Sequence, residues 1–360
     1  MLGILIMLLT AFMIYSLVKN ALMGKQLSGE DTYNGSVELL IPITSSSQFY
    51  IEPWMKTLNS FRSPDGAIKV RILILDDHPT IEAWREVSSR LPHVELFVLI
   101  DRPVGAKALP WMLSQIAPLV RSNIVIIGDA ELVPTEAAFF SLSILVTEKQ
   151  RPVFVVPQTT NQLGILGETI ALLNPTLALT SVFGLGNLRK KLSYPLMSIA
   201  QGWMGMSLET FKRLPFDKMT KSSWKEALSQ AWDKETTSFV LAFGEKQLVR
   251  YFAEDVTVQI NQLKTAWAEY WKQSDRTAPI LFTVILFAWS FPVLCLFTHP
   301  FWALASFLLL LLYRFFTKII FQESFLAAIL HPIASVAWVG TLIWWALSGR
   351  SFKVRPARLN

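Results

Sequence analysis

Two pairs of carboxylates stand out for where they fall. Asp76 and Asp77 close the run VRILILDD (70–77), and Asp129 and Glu131 follow NIVII in NIVIIGDAEL (123–132). Each pair comes after an apolar, β-branched run of the kind that forms a buried strand, so each sits where a strand leaves the core. Carboxylates held at strand ends are hard oxygen ligands. They suit a divalent cation such as Mg²⁺ or Mn²⁺, which takes oxygen donors and often bridges to a diphosphate, and they suit ribose hydroxyls. The plainer reading of Asp76-Asp77 is a solvated turn, because two acids before a turn are common. The histidines (His78, His93, His299 and His331) are scattered without metal-ligand spacing, and the one cysteine, Cys295, lies in an apolar run. An intrachain disulfide and a cysteine-based zinc site are thereby excluded.

The elements that must position these acids read as an α/β pattern. VELLIPI (37–43), VRILILDD, VELFVLI (94–100), NIVIIGD (123–129) and PVFVVPQ (152–158) have the composition of buried strands. Helical stretches lie between them. SSSQFYIEPWMKTLNSF opens with serines suited to capping, and PTIEAWREVSSRL and AKALPWMLSQIAPLV have helical periodicity. Strands alternating with helices predict a largely parallel sheet covered on both faces. Ligands in such sheets bind beyond the carboxyl ends of the strands, where both acidic pairs fall.

The rest of the chain is unusually apolar. Of 360 residues 52% are hydrophobic, and the mean hydropathy is +0.39. Residues 2–18 are uncharged and followed by Lys19 and Lys25, which predicts an uncleaved N-terminal anchor (1–20) rather than a signal peptide. Residues 278–298, 301–317 and 328–347 are further apolar runs, about the ~20 residues that span a bilayer. They predict roughly three transmembrane helices within 278–350, ahead of a basic tail, 351–360. Lys19, Lys25, Arg314 and Lys318 place the globular region (30–260) in the cytoplasm by the positive-inside rule; the basic tail, after four crossings, does not agree. The net charge of +6 belongs to these juxtamembrane residues, and no basic stripe interleaved with aromatics suggests nucleic acid. LKTAWAEYWKQ (263–273) puts Leu263, Trp267, Tyr270 and Trp271 on one helical face, which reads as an interfacial helix (261–277) or, alternatively, a core-facing one. Residues 161–187 carry a single charge, Glu168. They are either buried in the domain or dip into headgroups.

The order of these pieces resembles a family 2 glycosyltransferase of the GT-A fold, in its membrane-bound branch of ceramide glucosyltransferase-like and hopanoid- or carotenoid-associated bacterial enzymes. A proline-containing first strand, a strand ending in ILDD and a GAKA segment (105–108) come in sequence. IIGDAEL is similar to the family's DXD motif. AQGWMGMSLETFKRL (200–214) looks like its glycine-containing strand and helix. WDKETTSFVLAFGEKQLVRYFAED (232–255) is similar to its ED-x-E-L…G-x-x-V segment, with Asp233, Glu235 and Gly244 in place, and Gln273-Ser274-Asp275-Arg276 resembles QxxRW. The resemblance covers residues 37–277. It departs at Glu131, where the motif ends in Asp, at Trp232, where Glu is usual, and at Thr277, where QxxRW ends in Trp.

The resemblance implies an inverting transfer of a sugar from a nucleotide-sugar, UDP-linked, to a lipid or lipid-linked hydroxyl at the cytoplasmic face of a bacterial inner membrane. It implies that Asp129 and Glu131 hold Mn²⁺ or Mg²⁺, and that Asp76 or Asp77 holds the nucleoside. It places Lys107, Gln273 and Arg276 near the diphosphate and makes Asp233 the general base. Glu226 is the second candidate for the base, and Glu254-Asp255 reads as a solvated turn. Three other readings compete: a degenerate, non-catalytic scaffold, a processive polysaccharide synthase, and a nucleotidyltransferase on a similar sheet.

Overall fold

The computed structural model describes residues 2–23, 25–26, 33–44, 50–61, 68–156, 158–160, 164–173, 203–214, 216, 240–243, 248–251, 256–257, 259–260, 263–264, 267, 277–321 and 325–347. They divide into two compact units. One comprises Met23–Gln158 and Leu185–Tyr251, the other Met1–Leu22, Thr159–Gly184 and Phe252–Asn360. In chain order the elements are α1 (Leu2–Met23), β1 (Lys25–Gln26), β2 (Val37–Pro42), α2 (Ile51–Ser60), β3 (Ile68–Leu75), α3 (Ile81–Arg90), β4 (Val94–Leu99) and α4 (Ala108–Ile116). Then come β5 (Ile124–Ile127), β6 (Leu132–Pro134), α5 (Glu136–Lys149), β7 (Val153–Val156), β8 (Gln158–Thr160), α6 (Gly164–Ala171), β9 (Trp203–Ser207) and α7 (Leu208–Lys212). The chain continues with β10 (Val240–Phe243), β11 (Leu248–Tyr251), α8 (Thr277–Leu294), α9 (Pro300–Phe321) and α10 (Phe325–Leu347).

The first unit is built on an eight-stranded sheet of order β1-β10-β7-β9-β5-β2-β3-β4. Neighbours run parallel except at β9, which is antiparallel to both β5 and β7. The expected class, an α/β, Rossmann-like and mainly parallel sheet, is the observed one. The five strands read from the sequence all form. β2 and β5 are buried along their whole lengths, as apolar runs covered on both faces must be. The serines expected to cap α2 lie outside the described residues; α2 follows Tyr50, whose side chain makes no capping bond.

Glu38 and Arg71 break the apolar pattern at the amino-terminal half of the sheet and are nonetheless buried. They form an ion pair. Arg71 Nη1 lies 2.7 Å from Glu38 Oε1, and Arg71 Nε lies 3.2 Å from Glu95 Oε2. The second Glu38 oxygen accepts the Arg121 backbone N–H at 3.2 Å. Pairing avoids the large penalty of an isolated buried charge.

α5 lies across β9. Thr135 caps it through Oγ1, which accepts from Ala138 N, and Gln150 closes it in the left-handed region at φ 51°. The contact is close because β9 carries Gly205 there: a Cβ on it would stand 2.8 Å from Val146 Cγ2 and 3.1 Å from Leu142 Cγ. α5 is apolar on most of its faces, so it lacks the one-sided stripe by which a surface helix is read.

In the second unit, three apolar stretches are long enough to cross a membrane: Leu2–Lys19 in α1, Pro300–Lys318 in α9 and Phe325–Trp344 in α10. α8 contributes a shorter one, Ile280–Leu294, with Pro292 inside the helix. Their outer faces are apolar. Leu304, Leu308 and Leu312 of α9 follow each other at one helical turn and are exposed, as are Leu5, Leu8 and Phe12 of α1. Stripes of this kind are unfavourable in water and ordinary against lipid, so the unit is membrane-associated. α6, from the segment between β8 and β9, packs on α10, and the Gln259 side-chain amide donates to its Gly167 carbonyl at 2.8 Å. Leu263 and Trp267 are buried, Trp267 against Phe282 and Trp338 at ring separations of 5.6 and 6.4 Å. Tyr270 and Trp271 lie outside the described residues.

Gly205→Ala is expected to push α5 from β9 and to destabilise the first unit by about 1–3 kcal/mol. A melting temperature equal to the wild type's in the same detergent would show that the helix gives way freely.

Candidate functional site

The acids come together at one edge of the first unit because three parallel strands end there. β2 lies between β3 and β5, with Leu40 opposite both Arg71 and Ile127. β3 runs into a turn at Asp76-Asp77, where the His78 N–H returns to the Leu75 carbonyl at 3.1 Å. β5 runs through Gly128, whose N–H bonds the Leu40 carbonyl at 2.8 Å, into Asp129-Ala130-Glu131. β4, on the far side of β3, ends at Leu99 and leads into the loop that carries Lys107.

The turn at Asp129 is held by its own side chain. Leu132 N donates to the Asp129 carbonyl at 2.9 Å, closing a β-turn. Glu131 N donates to Asp129 Oδ1, also at 2.9 Å, so the carboxylate is fixed by the loop it serves. Two tryptophans hold the turn from the core side. Trp54 Nε1 donates to the Ala130 carbonyl at 2.7 Å, and Trp203 Nε1 donates to the Leu132 carbonyl at 3.3 Å. Their rings stack with centroids 6.2 Å apart and planes within 12°. Both are buried, whereas Asp129 and Glu131 are partly open to solvent. Sequence reading missed these two residues. Helical periodicity marks Trp54 as buried but does not say which carbonyl its N–H will reach.

Asp76 and Asp77 are exposed. Beside them, His78 is partly buried. Its Nδ1 takes the Thr80 N–H at 3.3 Å and lies 2.9 Å from Thr80 Oγ1, at the start of α3. Burial lowers its pKa below 6.5, against the opposing pull of the Asp77 carboxylate. Lys107 is exposed at the amino end of α4, and its carbonyl starts that helix by accepting from Trp111 N at 3.2 Å. The preceding loop turns at Gly105, whose φ of +82° is a left-handed value that glycine adopts without strain.

One intervening strand separates the loops after β3 and β5, which puts them about 10 Å apart across the sheet. Among the described residues no group of three or more His, Cys, Asp or Glu side chains forms a metal cage. The donor set at Asp129 and Glu131 fits a hard cation of the kind that takes one or two carboxylates and completes its shell with phosphate oxygens and water. Asp233, Glu226, Gln273 and Arg276 lie outside the described residues, as do Trp232 and Glu254-Asp255. Thr277 begins α8.

Fold and site together define a mainly parallel α/β unit with acids at its strand ends, on a chain that also carries membrane-length helices. No family model matches the chain, and no curated protein matches it. Among solved structures it is similar to a mannosyltransferase, PcManGT from Pyrobaculum calidifontis in complex with GDP-Man and Mn²⁺. That likeness has 14% identity, 96% of this chain and 95% of the other covered, and a TM-score of 0.45. It is also similar to S. aureus TarS, at 12% identity, 71% and 43% covered and a TM-score of 0.39. A third is 4-diphosphocytidyl-2C-methyl-D-erythritol synthase from Anaerococcus prevotii, at 9% identity, 63% and 95% covered and a TM-score of 0.39.

Two measurements test this geometry. Trp54→Phe keeps the ring but leaves the Ala130 carbonyl without its donor, and is expected to cost about 1–3 kcal/mol of stability. An unchanged melting temperature would mean the indole N–H does not hold the turn. For His78, NMR titration of the imidazole is expected to give a midpoint below 6.5. The unfolded chain then binds a proton that the folded one refuses, so this histidine's contribution is present above pH 6.5 and is lost as pH falls towards the folded midpoint. A midpoint at or above 6.5 would contradict the burial seen here.

Proposed function

We propose that the protein is a membrane-bound glycosyltransferase that moves a sugar from a nucleotide-sugar to a lipid or lipid-linked hydroxyl. The observation that supports this most directly is the pair of acid-bearing loops at the carboxyl ends of parallel strands flanking β2. Their spacing of about 10 Å matches a nucleoside diphosphate laid across the strand ends, ribose at one loop and diphosphate at the other. A soluble sugar acceptor would not call for membrane-length helices on the same chain; a lipid acceptor does.

In this reading Asp76 or Asp77 binds the ribose of the donor, which we take to be UDP-linked. Asp129 and Glu131 hold a divalent cation, Mn²⁺ or Mg²⁺, and its Lewis acidity would offset the charge growing on the diphosphate as it leaves. The Asx bond from Glu131 N keeps Asp129 aimed without further ordering. Lys107 lies on the same strand-end edge as the acids and adds positive charge there, and Gln273 and Arg276 are assigned to the diphosphate by resemblance. Asp233 takes the proton from the acceptor hydroxyl. One base and a single in-line attack invert the anomeric carbon, through a transition state with oxocarbenium character. The family 2 membership, the cytosolic placement of the first unit and its extent (30–260) belong to this proposal.

Calorimetric titration with UDP, with and without Mn²⁺, tests it. Wild-type protein in detergent is expected to bind UDP in a metal-dependent way, and Asp129→Ala to lose that dependence. Folded wild-type protein that binds neither UDP nor any other nucleoside diphosphate would sink the donor site. Asp233→Asn is expected to bind the donor normally and to lower transfer by roughly 10²–10⁴-fold. Full activity in that variant would remove Asp233 as the base.

A further inference from the structure

The turn after β3 carries a third polar side chain besides its two acids. His78 follows Asp76 and Asp77 directly and is partly buried, and Thr80, two residues on, is 1% exposed. Thr80 fixes the state of the imidazole. A backbone N–H only donates, and the Thr80 N–H reaches His78 Nδ1 at 3.3 Å, so Nδ1 presents a lone pair. The Thr80 hydroxyl, 2.9 Å from the same nitrogen, faces that lone pair too. The proton of the neutral ring is therefore on Nε2. Burial, which lowers the pKa, favours this neutral form at pH 7. Among the described residues nothing accepts from Nε2, and this nitrogen is not sealed from solvent. The turn thus presents a free N–H donor of fixed identity.

The backbone that carries it is fixed as well. Asp76 N donates to the Leu99 carbonyl of β4 at 3.2 Å, and His78 N donates to the Leu75 carbonyl at 3.1 Å. The His78 carbonyl accepts from Ile81 N at 3.1 Å, where α3 begins. A side chain held by its own loop, on a turn held at both ends, has little freedom left to lose on binding a ligand. Bracing alone does not call for histidine. An aspartate here would accept from the N–H two residues on in the same manner. What the imidazole adds is the donor on its far side.

That donor complements its neighbours. Asp76 and Asp77 offer acceptors, which suit ribose hydroxyls because a hydroxyl donates. The carbonyls of a nucleobase accept and do not donate, so carboxylates cannot read them and an N–H can. In a nucleoside the base is bonded directly to the ribose, so a ribose held at Asp76-Asp77 brings its base to the same turn. We propose that His78 recognises the base of the donor nucleotide, its Nε2–H donating to a ring carbonyl, of uracil where the donor is UDP-linked. This rests on the nucleotide-sugar reading of the strand-end edge and adds to it the residue that meets the base.

Calorimetric titration of full-length protein in detergent with Mg²⁺ tests the proposal, using UDP and ribose 5-diphosphate, which keeps the ribose and the diphosphate and lacks the base. His78→Ala is expected to weaken UDP by about threefold to tenfold, the worth of one neutral hydrogen bond, and to leave ribose 5-diphosphate unchanged. His78→Phe keeps an aromatic ring without the donor and is expected to show the same selective loss. Nitrogen-15 NMR of the wild-type imidazole gives a readout apart from affinity. His78 is expected to show Nδ1 unprotonated and Nε2 protonated, and the Nε2–H resonance to move with UDP but not with ribose 5-diphosphate. Wild-type affinity for UDP in His78→Phe would overturn the hydrogen bond to the base. An equal loss for both compounds would overturn it too, by assigning His78 to the ribose. A proton on Nδ1 would remove the donor on which the proposal stands. Wild-type protein that binds neither compound would sink the donor site and this role with it, whereas undiminished binding of both in the variants would sink the role of His78 alone.

Discussion

The hydrogen bond from the Trp54 indole to the Ala130 carbonyl is the contact on which the acidic edge depends. A turn at the end of a buried strand leaves carbonyls pointing back into the core, where each must find a donor. Here two indoles supply them, one from α2 and one from β9. The turn can then face outward with its carboxylates while its backbone stays anchored. This also gives the antiparallel strand a role. β9 pairs Met204 with Ile127, so its preceding residue, Trp203, falls beside Gly128, directly beneath the turn.

The sheet is polar along its strand direction. At the amino-terminal half its charges are matched: buried Glu38 with buried Arg71, and Arg71 again with the partly open Glu95. At the carboxyl end they are acids at loop positions, turned partly or wholly to solvent. The Glu38–Arg71 pair lies in the interior, and Arg71 ties β2, β3 and β4 together through Glu38 and Glu95, whereas the strand-end acids stand at loop positions open to solvent.

The parts that were legible in the sequence were those written in local pattern. Five apolar runs became five parallel-sheet strands because burial on both faces demands continuous apolar sequence. Asp76-Asp77 and Asp129-Glu131 were legible for the same reason, as the point where that pattern stops. β9 was recognisable through resemblance but not through alternation, since a strand reading Trp-Met-Gly-Met-Ser has a glycine where α5 presses on it. The long-range partners were not legible at all. Trp54 meets a carbonyl 76 residues away, Trp203 one 71 residues away, and Arg314 one 142 residues away. No periodicity encodes such distances; they follow from how the sheet and the bundle close.

The membrane unit reverses the logic of the first. Its exterior is apolar and its polar side chains are inside, among them Thr10, Ser290, Ser306, Thr317 and Ser335. Most of these are quiet, because each hydroxyl donates to a carbonyl three or four residues earlier on its own helix. Such bonds satisfy a helix without asking anything of its neighbours. Arg314 and His331 differ in kind: they reach across from α9 to α10 and to the segment after α6. A bundle needing only cohesion could have used apolar side chains of similar volume at lower cost.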